Sequence, residues 1–276
     1  MKILIIYNSV KTNGLFVVQK TEAVLKNAGA ELKILEFSDF LKSDLKDLGF
    51  ENLGAIVVIG GDGTIIKVAN SAAIYNLPII GINAGRIGYL AGIDESSLEL
   101  LKNVLSGSFS LEKRMMLSAE IYKDNNLVGK CEALNDLVIS KSSVANLLDI
   151  ELSVNGDKIK YRADGLIAAT PTGSTAYSLS AGGPVVDPSI DCIVLTAVCP
   201  HTLMNRSLVV GENTELSVKL LNTEGMDIFL SADGRAEFSL DENTVVKLKK
   251  SDIYANFIRF NDNSVYKIFS EKTKLD

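Results

Sequence analysis

Apolar and polar positions follow two different patterns along the chain. In the N-terminal part, short apolar runs alternate with segments such as Leu15–Ala28 and Ile65–Ala73, in which apolar residues recur at helical spacing. This alternation predicts a parallel sheet with crossover helices, that is, a doubly wound α/β domain. Its predicted strands are Lys2–Tyr7, Glu31–Phe37, Ala55–Ile59 and Pro78–Asn83.

From Met115 onward the chain shows many short β-rich runs, which is typical of an antiparallel β domain. We therefore predict an α/β domain over residues 1–108 and a β-rich domain over residues 109–261. The segment 262–276, with a helix over Asn263–Thr273, is expected to pack back on the first domain. The strands predicted in the second domain are Met115–Tyr122, Ala133–Ser140, Leu148–Val154, Leu166–Thr170, Ile193–Val198, Leu216–Leu221, Ile228–Ser231 and Val245–Leu248.

The composition narrows the classes of protein that the chain can represent. Apolar residues make up 47% of the 276 positions, and no stretch approaches the roughly 20 uncharged apolar residues of a membrane-spanning helix, so we expect no membrane partner and a cytoplasmic location. A net charge of −6 disfavours nucleic-acid binding, which depends on clustered Lys and Arg. The cysteines, Cys131, Cys192 and Cys199, lack the paired spacing of a zinc site or a disulfide framework.

A glycine-rich turn joins a predicted strand to a predicted helix. Gly60–Thr64 reads Gly-Gly-Asp-Gly-Thr and lies between Ala55–Ile59 and Ile65–Ala73, at the carboxyl edge of the sheet, where open α/β sheets bind ligands. Glycines without Cβ atoms let backbone N–H groups approach a phosphate, and the start of the helix adds further N–H donors. We therefore predict a loop that holds the phosphates of a donor. Its residues are Gly60, Gly61, Gly63 and Thr64.

Asp62 stands in the middle of this loop, where a carboxylate would repel phosphate unless a divalent cation or a reacting hydroxyl lay between them. Placed beside an alcohol, the carboxylate could accept the proton during phosphoryl transfer, a role worth roughly 10²–10⁴ in rate. Asp62 is therefore our candidate general base. The alternative, which the pentapeptide alone leaves open, is a turn in which Asp62 only caps the helix.

Other well-known nucleotide-binding and hydrolytic motifs are absent from the sequence. It contains no G-x-x-x-x-G-K-[ST] loop and no G-x-G-x-x-G after a strand, which argues against Walker-type ATPases and ordinary dehydrogenases. His201 is the only histidine, and no G-x-S-x-G nucleophile elbow accompanies it. The sequence therefore gives little support to a Ser-His-Asp hydrolase.

A second candidate segment, Thr170–Pro184, is rich in hydroxyl groups and glycine. Ser174 or Thr175 is expected to cap a helix that begins near Ala176. Such a cap would leave hydroxyls, free amides and the ring of Tyr177 to bind a polar, partly aromatic ligand. The alternative is an ordinary loop rich in Ser and Thr.

Two adjacent polar residues, Asn135 and Asp136, interrupt the apolar run Ala133–Ile139. In a strand their side chains point to opposite faces, so one of them needs a polar partner if it is buried. Paired ribose hydroxyls would suit an amide and a carboxylate. The alternative is a bulge or an edge position in the sheet.

Taken together, these segments resemble the NAD kinase family. The matching motifs follow in the order Gly60–Thr64, Gly81–Leu90, Asn135-Asp136 and Asp164–Pro184, and they span most of the chain. The first motif is shared with lipid kinases of the diacylglycerol and sphingosine type and resembles one in phosphofructokinases. The long segment Thr170–Pro184, in contrast, looks like NAD kinase specifically.

The resemblance implies a Rossmann-like N-terminal domain and a C-terminal domain of β-sheets, with NAD held between them. It implies transfer of the γ-phosphate of ATP, or of a phosphate from another nucleotide or polyphosphate, to the 2′-hydroxyl of the adenosine ribose of NAD, which gives NADP. Mg²⁺ is expected to bind with the donor's phosphates. Family members are commonly dimers or tetramers, so a homodimer or homotetramer is expected, with NAD beside a neighbouring subunit.

The resemblance also implies roles for individual residues. Asp62 would be the general base, with Gly63 beside the ligand and Lys67 near its phosphates. Asn135 and Asp136 would bind ribose and adenine groups of NAD. The other matching positions are Arg162 and Asp164, near the nicotinamide end and the neighbouring subunit's ligand, and Thr175, Ala176, Tyr177, Ser178, Leu179 and Ser180, which line the adenine and ribose pocket. Two positions depart from the family pattern but are included in the NAD site: Asn146, where many relatives have histidine, and Arg235, where many have glutamine.

Two other functions compete with this interpretation. A lipid kinase would need a basic amphipathic surface to reach a membrane-borne alcohol, and the acidic charge balance argues against it. A non-catalytic NAD(P)-binding sensor would keep the pocket without the chemistry. The presence of Asp62 argues against the sensor.

Overall fold

In the computed structural model, the described residues are 1–10, 14–48, 52–83, 88–142, 146–201, 206–223 and 225–260. The chain forms two compact units. The first comprises Met1–Lys113 and the described residues from Tyr254 to Phe260, and the second is Arg114–Ile253. The helix predicted over Asn263–Thr273, and the expected packing of 262–276, lie outside the described residues. None of the described helices is both long enough and apolar enough to cross a membrane.

The elements of each unit follow in chain order. The first unit contains β1 (Lys2–Tyr7), α1 (Gly14–Asn27), β2 (Glu31–Glu36), α2 (Phe37–Phe40), β3 (Leu53–Ile59), α3 (Asp62–Ile74), β4 (Ile79–Asn83), β5 (Ile93–Asp94), a 3₁₀ helix (Glu95–Leu101) and α4 (Lys102–Ser106). After β6 (Ser110–Lys123) come β7 (Asn126–Ala133), β8 (Asp136–Lys141), β9 (Leu148–Val154), β10 (Asp157–Ala163), β11 (Gly165–Ala169), a 3₁₀ helix (Gly173–Thr175), α5 (Tyr177–Ser180), β12 (Cys192–Val198), β13 (Leu208–Gly211), β14 (Leu216–Asn222), β15 (Ile228–Ala232), β16 (Arg235–Leu240) and β17 (Thr244–Arg259).

A parallel sheet organises the first unit. β1 pairs with β2 on one side and β3 on the other, β3 pairs with β4, and β4 pairs with β5 and, at Phe257, with the end of β17. Most residues of β1, β3 and β4 are buried, as expected for parallel strands covered on both faces. Val17 and Leu25 of α1 pack in the same core as Ile3 and Val57. The prediction of a doubly wound α/β fold is confirmed.

Antiparallel strands organise the second unit, as predicted. One sheet has the order β13-β12-β11-β8-β15-β16, and β10, β9, β14 and the first part of β17 pair in another. The turn between β15 and β16 contains Asp233 and Gly234 at φ 48° and 75°, a left-handed conformation that Asp-Gly adopts readily in hairpins. This turn brings Asp233 beside the start of β8.

The polar pair lies where β7 ends and β8 begins. The sequence pattern predicted a single strand over Ala133–Ser140, but β7 ends at Ala133 and β8 begins at Asp136. β8 is flanked by β11 and β15, so the alternative of an edge position does not apply. The single-strand prediction is wrong because Leu134 and Asn135 donate their backbone N–H groups to the side chain of Asp233 instead of to a neighbouring strand.

The register of β8 sets where the polar residues of the second unit lie. Asp136, at the start of β8, is opposite Ala169, and Ser140, one residue before the strand ends at Lys141, is opposite Gly165. Because each residue of an antiparallel strand advances by about 3.4 Å, the two ends of β8 lie roughly 17 Å apart. The predicted site residues of this unit therefore fall into two separate groups.

Candidate active site

The loop Gly60–Thr64 connects β3 to α3 at the carboxyl end of the parallel sheet. The backbone N–H of Gly60 donates to the carbonyl of Ile82 (3.1 Å), which ties the loop to β4. Gly61 is the N-cap of α3, and its carbonyl accepts from the backbone N–H of Thr64 (2.9 Å). Asp62 and Gly63 precede Thr64 in the first turn, where backbone N–H groups have no carbonyl partner within the helix, so their N–H groups are available at the loop.

A buried hydrogen bond fixes the end of the loop. Asn8, directly after β1, donates through Nδ2 to Oγ1 of Thr64 (2.9 Å). A Cβ atom on Gly60 would lie 3.0 Å from Cβ of Thr64. Gly60 is therefore closely packed against Thr64. Asn8 supports the loop, although no sequence pattern singled it out. Its only local signal is a polar residue at the end of a buried strand.

Gly61 and Gly63 have a different environment. No atom of another described segment lies within 4 Å of a Cβ atom at either position, and neither residue has a left-handed φ. As far as the described residues are concerned, alanine would fit both positions. Internal packing and backbone conformation therefore do not explain these two glycines.

Asp62 is the first residue of α3, and its side chain is held by a segment more distant in sequence. Oδ2 accepts from the backbone N–H of Tyr89 (2.9 Å), and Oδ1 accepts from the backbone N–H of Leu90 (3.2 Å). The N-cap of α3 is Gly61. The alternative in which Asp62 only caps its own helix is therefore not what the structure shows.

Lys67 lies one helical turn after Gly63 on an exposed part of α3. Its ammonium group is 6.0 Å from the ring centroid of Phe37, at the outer limit of a cation–π contact. Residues four apart on a helix share a face, so Lys67 and Gly63 lie on the same side of α3.

In the second unit, Asp233 organises the backbone of the polar pair. Its carboxylate accepts from the backbone N–H groups of Leu134 (2.8 Å), Asn135 (2.7 Å) and Asp136 (3.1 Å), and its own N–H donates to the carbonyl of Asp136 (3.0 Å). No sequence pattern singled out Asp233 as a site residue. Its local signal is only an Asp-Gly turn, which predicts a hairpin and not a contact with a distant segment.

Asn135 and Asp136 place their side-chain groups in different environments. Oδ1 of Asn135 is buried and has no hydrogen-bond partner among the described residues. Asp136 is 5% exposed, and burial raises its pKa to about 7. The charge of Asp233 also raises this pKa, whereas a hydrogen bond from the backbone N–H of Tyr177 lowers it. The pair thus combines an unsatisfied amide oxygen with a carboxyl group that titrates near neutral pH.

The segment after β11 packs closely against this pair. Oγ1 of Thr170 donates to the carbonyl of Leu134 (2.6 Å) and accepts from the backbone N–H of Gly173 (3.0 Å). A Cβ atom on Gly173 would lie 2.0 Å from the carbonyl oxygen of Asn135. The glycine is required for this close approach of two backbones.

Neither Ser174 nor Thr175 caps α5, contrary to the prediction. The N-cap is Ala176, which makes no side-chain hydrogen bond. The hydroxyl of Ser174 is fully buried and accepts from the backbone N–H of Val186 (3.0 Å), so it stabilises the return of the loop instead.

The predicted pocket residues from Thr175 to Ser180 differ in accessibility. Ser178 is fully buried, and its hydroxyl lies 3.3 Å from that of Thr196, so it has a structural contact inside the protein. Tyr177 and Leu179 are 45% and 39% exposed, Ser180 is also exposed, and Thr175 and Ala176 are half-buried. The side chains that can contact a ligand here are therefore Thr175, Ala176, Tyr177, Leu179 and Ser180.

The remaining predicted residues of this unit lie at the other end of β8, with one exception. Lys141, which is almost fully buried, forms an ion pair with Asp164 (2.9 Å) and donates to the carbonyl of Asn146. Arg162 is exposed and lies 3.7 Å from Asp149. Lys141 therefore links two predicted site residues, although the sequence analysis did not single it out.

The exception is Arg235, which follows the Asp233-Gly234 turn at the start of β16. Its side chain is exposed, and Nε donates to Glu237 (2.6 Å). Arg235 therefore lies two positions after Asp233, which binds the backbone of Asn135, but its own guanidinium forms a surface ion pair with Glu237.

Two family models match the chain, one for each unit. The model described as the ATP-NAD kinase N-terminal domain matches residues 5–109, and the model described as the ATP-NAD kinase C-terminal domain matches residues 134–260. Among curated relatives, an NAD kinase from Symbiobacterium thermophilum is 43% identical over 219 residues, which cover 79% of this chain and 77% of that protein. An NAD kinase from Treponema denticola is 35% identical over 273 residues, with coverage of 98% and 95%.

Solved structures of similar fold agree with these matches. An NAD kinase from Archaeoglobus fulgidus, crystallised in complex with ATP, superposes with a TM-score of 0.76 at 28% identity and covers 99% of this chain and 98% of its own. A yeast NADH kinase complexed with NADH superposes with a TM-score of 0.81 at 21% identity, with coverage of 100% and 89%. At that lower identity the second likeness concerns the fold alone.

Proposed function

The chain belongs to the ATP-NAD kinase family and transfers a phosphoryl group from ATP to NAD, and we propose which of its residues carry this reaction. The acceptor is the 2′-hydroxyl of the adenosine ribose, and the product is NADP. Phosphoryl transfer needs a cradle for the donor's phosphates, a group that accepts the hydroxyl proton and a pocket that orients the acceptor. The main support for the proposal is the carboxylate of Asp62, which two backbone N–H groups hold at the start of α3 within the glycine-rich loop Gly60–Thr64.

The donor's phosphates bind at Gly60–Thr64. The open space at Gly61 and Gly63 supports this proposal, because a Cβ atom there would meet no atom of another described segment and would obstruct a ligand instead. The first-turn N–H groups and the positive end of the α3 dipole favour an anion at this place. Lys67, on the same face as Gly63, adds a positive charge.

Asp62 acts as the general base. As the ribose 2′-oxygen forms its bond to the γ-phosphorus, the hydroxyl proton passes to the carboxylate of Asp62, and the bond to the β-phosphate oxygen breaks to release ADP. The hydrogen bonds from Tyr89 and Leu90 support this role, since they fix the direction of both carboxylate oxygens before the substrate arrives.

The adenosine part of NAD binds at the polar pair of the second unit. Oδ1 of Asn135 is buried and has no donor among the described residues, which supports this proposal. A buried acceptor without a donor costs about 1–3 kcal/mol, and a hydrogen bond from the ligand would recover that cost. Asp136 provides a second polar group, and the exposed ring of Tyr177 provides an apolar surface for a base.

The second group of residues, Arg162, Asp164 and Asn146, serves the nicotinamide end of NAD and the ligand of a neighbouring subunit. The separation of roughly 17 Å along β8 supports this assignment, because one compact nucleoside does not reach both groups. We accordingly propose a homodimer or homotetramer.

Arg235 remains part of the proposed NAD site on the strength of its position after Asp233 and Gly234 alone.

Mg²⁺ is proposed to bind together with the donor. The described residues contain no cluster of three or more His, Cys, Asp or Glu side chains suited to a metal ion, whereas Mg²⁺ bound through phosphate oxygens and water needs few protein ligands. No atom of another described segment lies within 4 Å of a Cβ placed on Gly61 or Gly63, so the loop leaves room for the donor beside these residues. When bound, Mg²⁺ neutralises charge on the transferred group.

A cytoplasmic location remains a proposal from the composition.

A panel of phosphoryl donors tests this function. The protein is incubated with Mg²⁺, either NAD or NADH, and ATP, another nucleoside triphosphate or inorganic polyphosphate. An NADP-specific dehydrogenase then detects the product. We expect NADP from NAD and ATP. Binding of NAD without product from any donor would instead favour a non-catalytic sensor.

A further inference from the structure

A glycine outside the phosphate loop lies against the carboxylate of Asp62. A Cβ atom on Gly88 would be 2.2 Å from Oδ1, 2.8 Å from Cγ and 3.0 Å from Oδ2 of Asp62, and these are the three nearest heavy atoms. Such approaches are too short for any side chain. The requirement comes from Asp62.

The residues that follow Gly88 are the ones that hold Asp62. Tyr89 and Leu90 donate their N–H groups to the two carboxylate oxygens, one to each. The segment is itself anchored, because Leu90 is buried and its carbonyl accepts from Nη1 of Arg259 (3.0 Å). Nε of Arg259 donates in turn to Glu112 (2.6 Å). The two amide donors therefore occupy a fixed position.

We propose that Gly88 is a positioning residue for phosphoryl transfer, because its lack of a side chain lets Gly88–Leu90 close on Asp62 and fix both carboxylate oxygens. This inference rests on the proposed role of Asp62 as the base. A methyl group at position 88 displaces the carboxylate first, since a side-chain terminus moves more easily than an anchored backbone. The base would then lose its two amide partners and its direction, while the phosphate loop and the NAD pocket stay intact.

The test compares Gly88→Ala with the parent and with Asp62→Asn. Gly211→Ala is the matched control, because Gly211 has no left-handed φ and the nearest atom to its added Cβ is 3.9 Å away. For Gly88→Ala we expect kcat to fall at least fivefold, with KM for NAD and for ATP within threefold of the parent. Gly211→Ala should leave all three constants unchanged.

The possible results separate the two claims. If Asp62→Asn is impaired and Gly88→Ala keeps kcat within fivefold, or changes mainly a KM, the inference about Gly88 is overturned and the role of Asp62 stands. If Asp62→Asn is itself active within threefold, the proposed base is wrong. If Gly88→Ala fails to fold, the double variant that also carries Asp62→Ala removes the clash between the added methyl group and the carboxylate. This double variant should fold. A double variant that stays unfolded overturns the inference.

Discussion

The carboxylate of Asp233 accepts a hydrogen bond of 2.7 Å from the backbone N–H of Asn135, across 98 positions of sequence. The neighbouring N–H groups of Leu134 and Asp136 donate to the same carboxylate. One side chain in a hairpin turn therefore fixes the backbone of the proposed NAD-binding pair.

Replacing Asp233 by alanine should lower the free energy of unfolding by about 1–3 kcal/mol, because three backbone N–H groups lose their acceptor. The KM for NAD should rise severalfold as the polar pair loses its fixed position. Asp124→Ala is the matched control, since Asp124 has nearly the same left-handed φ, 49° against 48°, in another hairpin turn. Chemical denaturation and NAD titrations measure both effects. Equal losses in the two variants would assign the effect to turn strain.

The stability of the protein should depend on the ionisation of Asp136. Burial raises the pKa of this carboxyl group to about 7, so the folded protein holds the proton more tightly than the unfolded chain does. Ionisation therefore costs stability as the pH rises through the interval between the unfolded and folded pKa values. Asp136→Asn removes this cost, and its stability relative to the parent should grow by roughly 2–3 kcal/mol between pH 5 and pH 8. Parallel pH–stability curves for parent and variant would contradict this account.

Removal of the Asn135 side chain should affect NAD and not ATP. Its Oδ1 has no protein partner in the described part of the chain, so Asn135→Ala should change the melting temperature little. NAD binding should weaken by about 1–3 kcal/mol, as expected when a hydrogen bond to a buried polar group is lost, while the KM for ATP stays nearly constant. Paired titrations of NAD and ATP measure the difference. An unchanged KM for NAD with a markedly lower melting temperature would show that the residue is structural.

Substitutions at two loop glycines, Gly60 and Gly63, should separate effects on packing from effects on ligand binding. Gly60→Ala places a Cβ atom 3.0 Å from Cβ of Thr64, so we expect a lower melting temperature. Gly63→Ala meets no protein atom in the described segments and gains helix propensity of up to about 1 kcal/mol, so its stability should be equal or higher. Gly63→Ala should nevertheless raise the KM for ATP. Wild-type ATP kinetics in Gly63→Ala would place the donor's phosphates elsewhere.

Local chemistry made part of the site predictable from the sequence. The Gly-Gly-Asp-Gly-Thr loop was recognisable because a strand, a glycine cluster and a helix follow one another directly. The parallel sheet was predictable because fully buried strands appear as continuous apolar runs, as in β1 and β3.

Contacts between distant segments were not predictable in the same way. Asn8 and Thr64 are 56 positions apart, Asp62 and Tyr89 are 27 apart, and none of these contacts has a periodic signature. The expected cap by Ser174 was wrong for the same reason. Its hydroxyl bonds to the backbone of Val186, a tertiary partner that outweighs the local preference of Ser for a helix N-terminus.

The most direct test of the account is the rate of NADP formation by Asp62→Asn under saturating NAD and ATP, measured beside the dissociation constant for NAD. Asparagine keeps the size of the side chain but cannot accept the hydroxyl proton. We expect kcat to fall by roughly 10²-fold or more while the affinity for NAD changes little. A kcat within about threefold of the parent would contradict the assignment of Asp62 as the catalytic base.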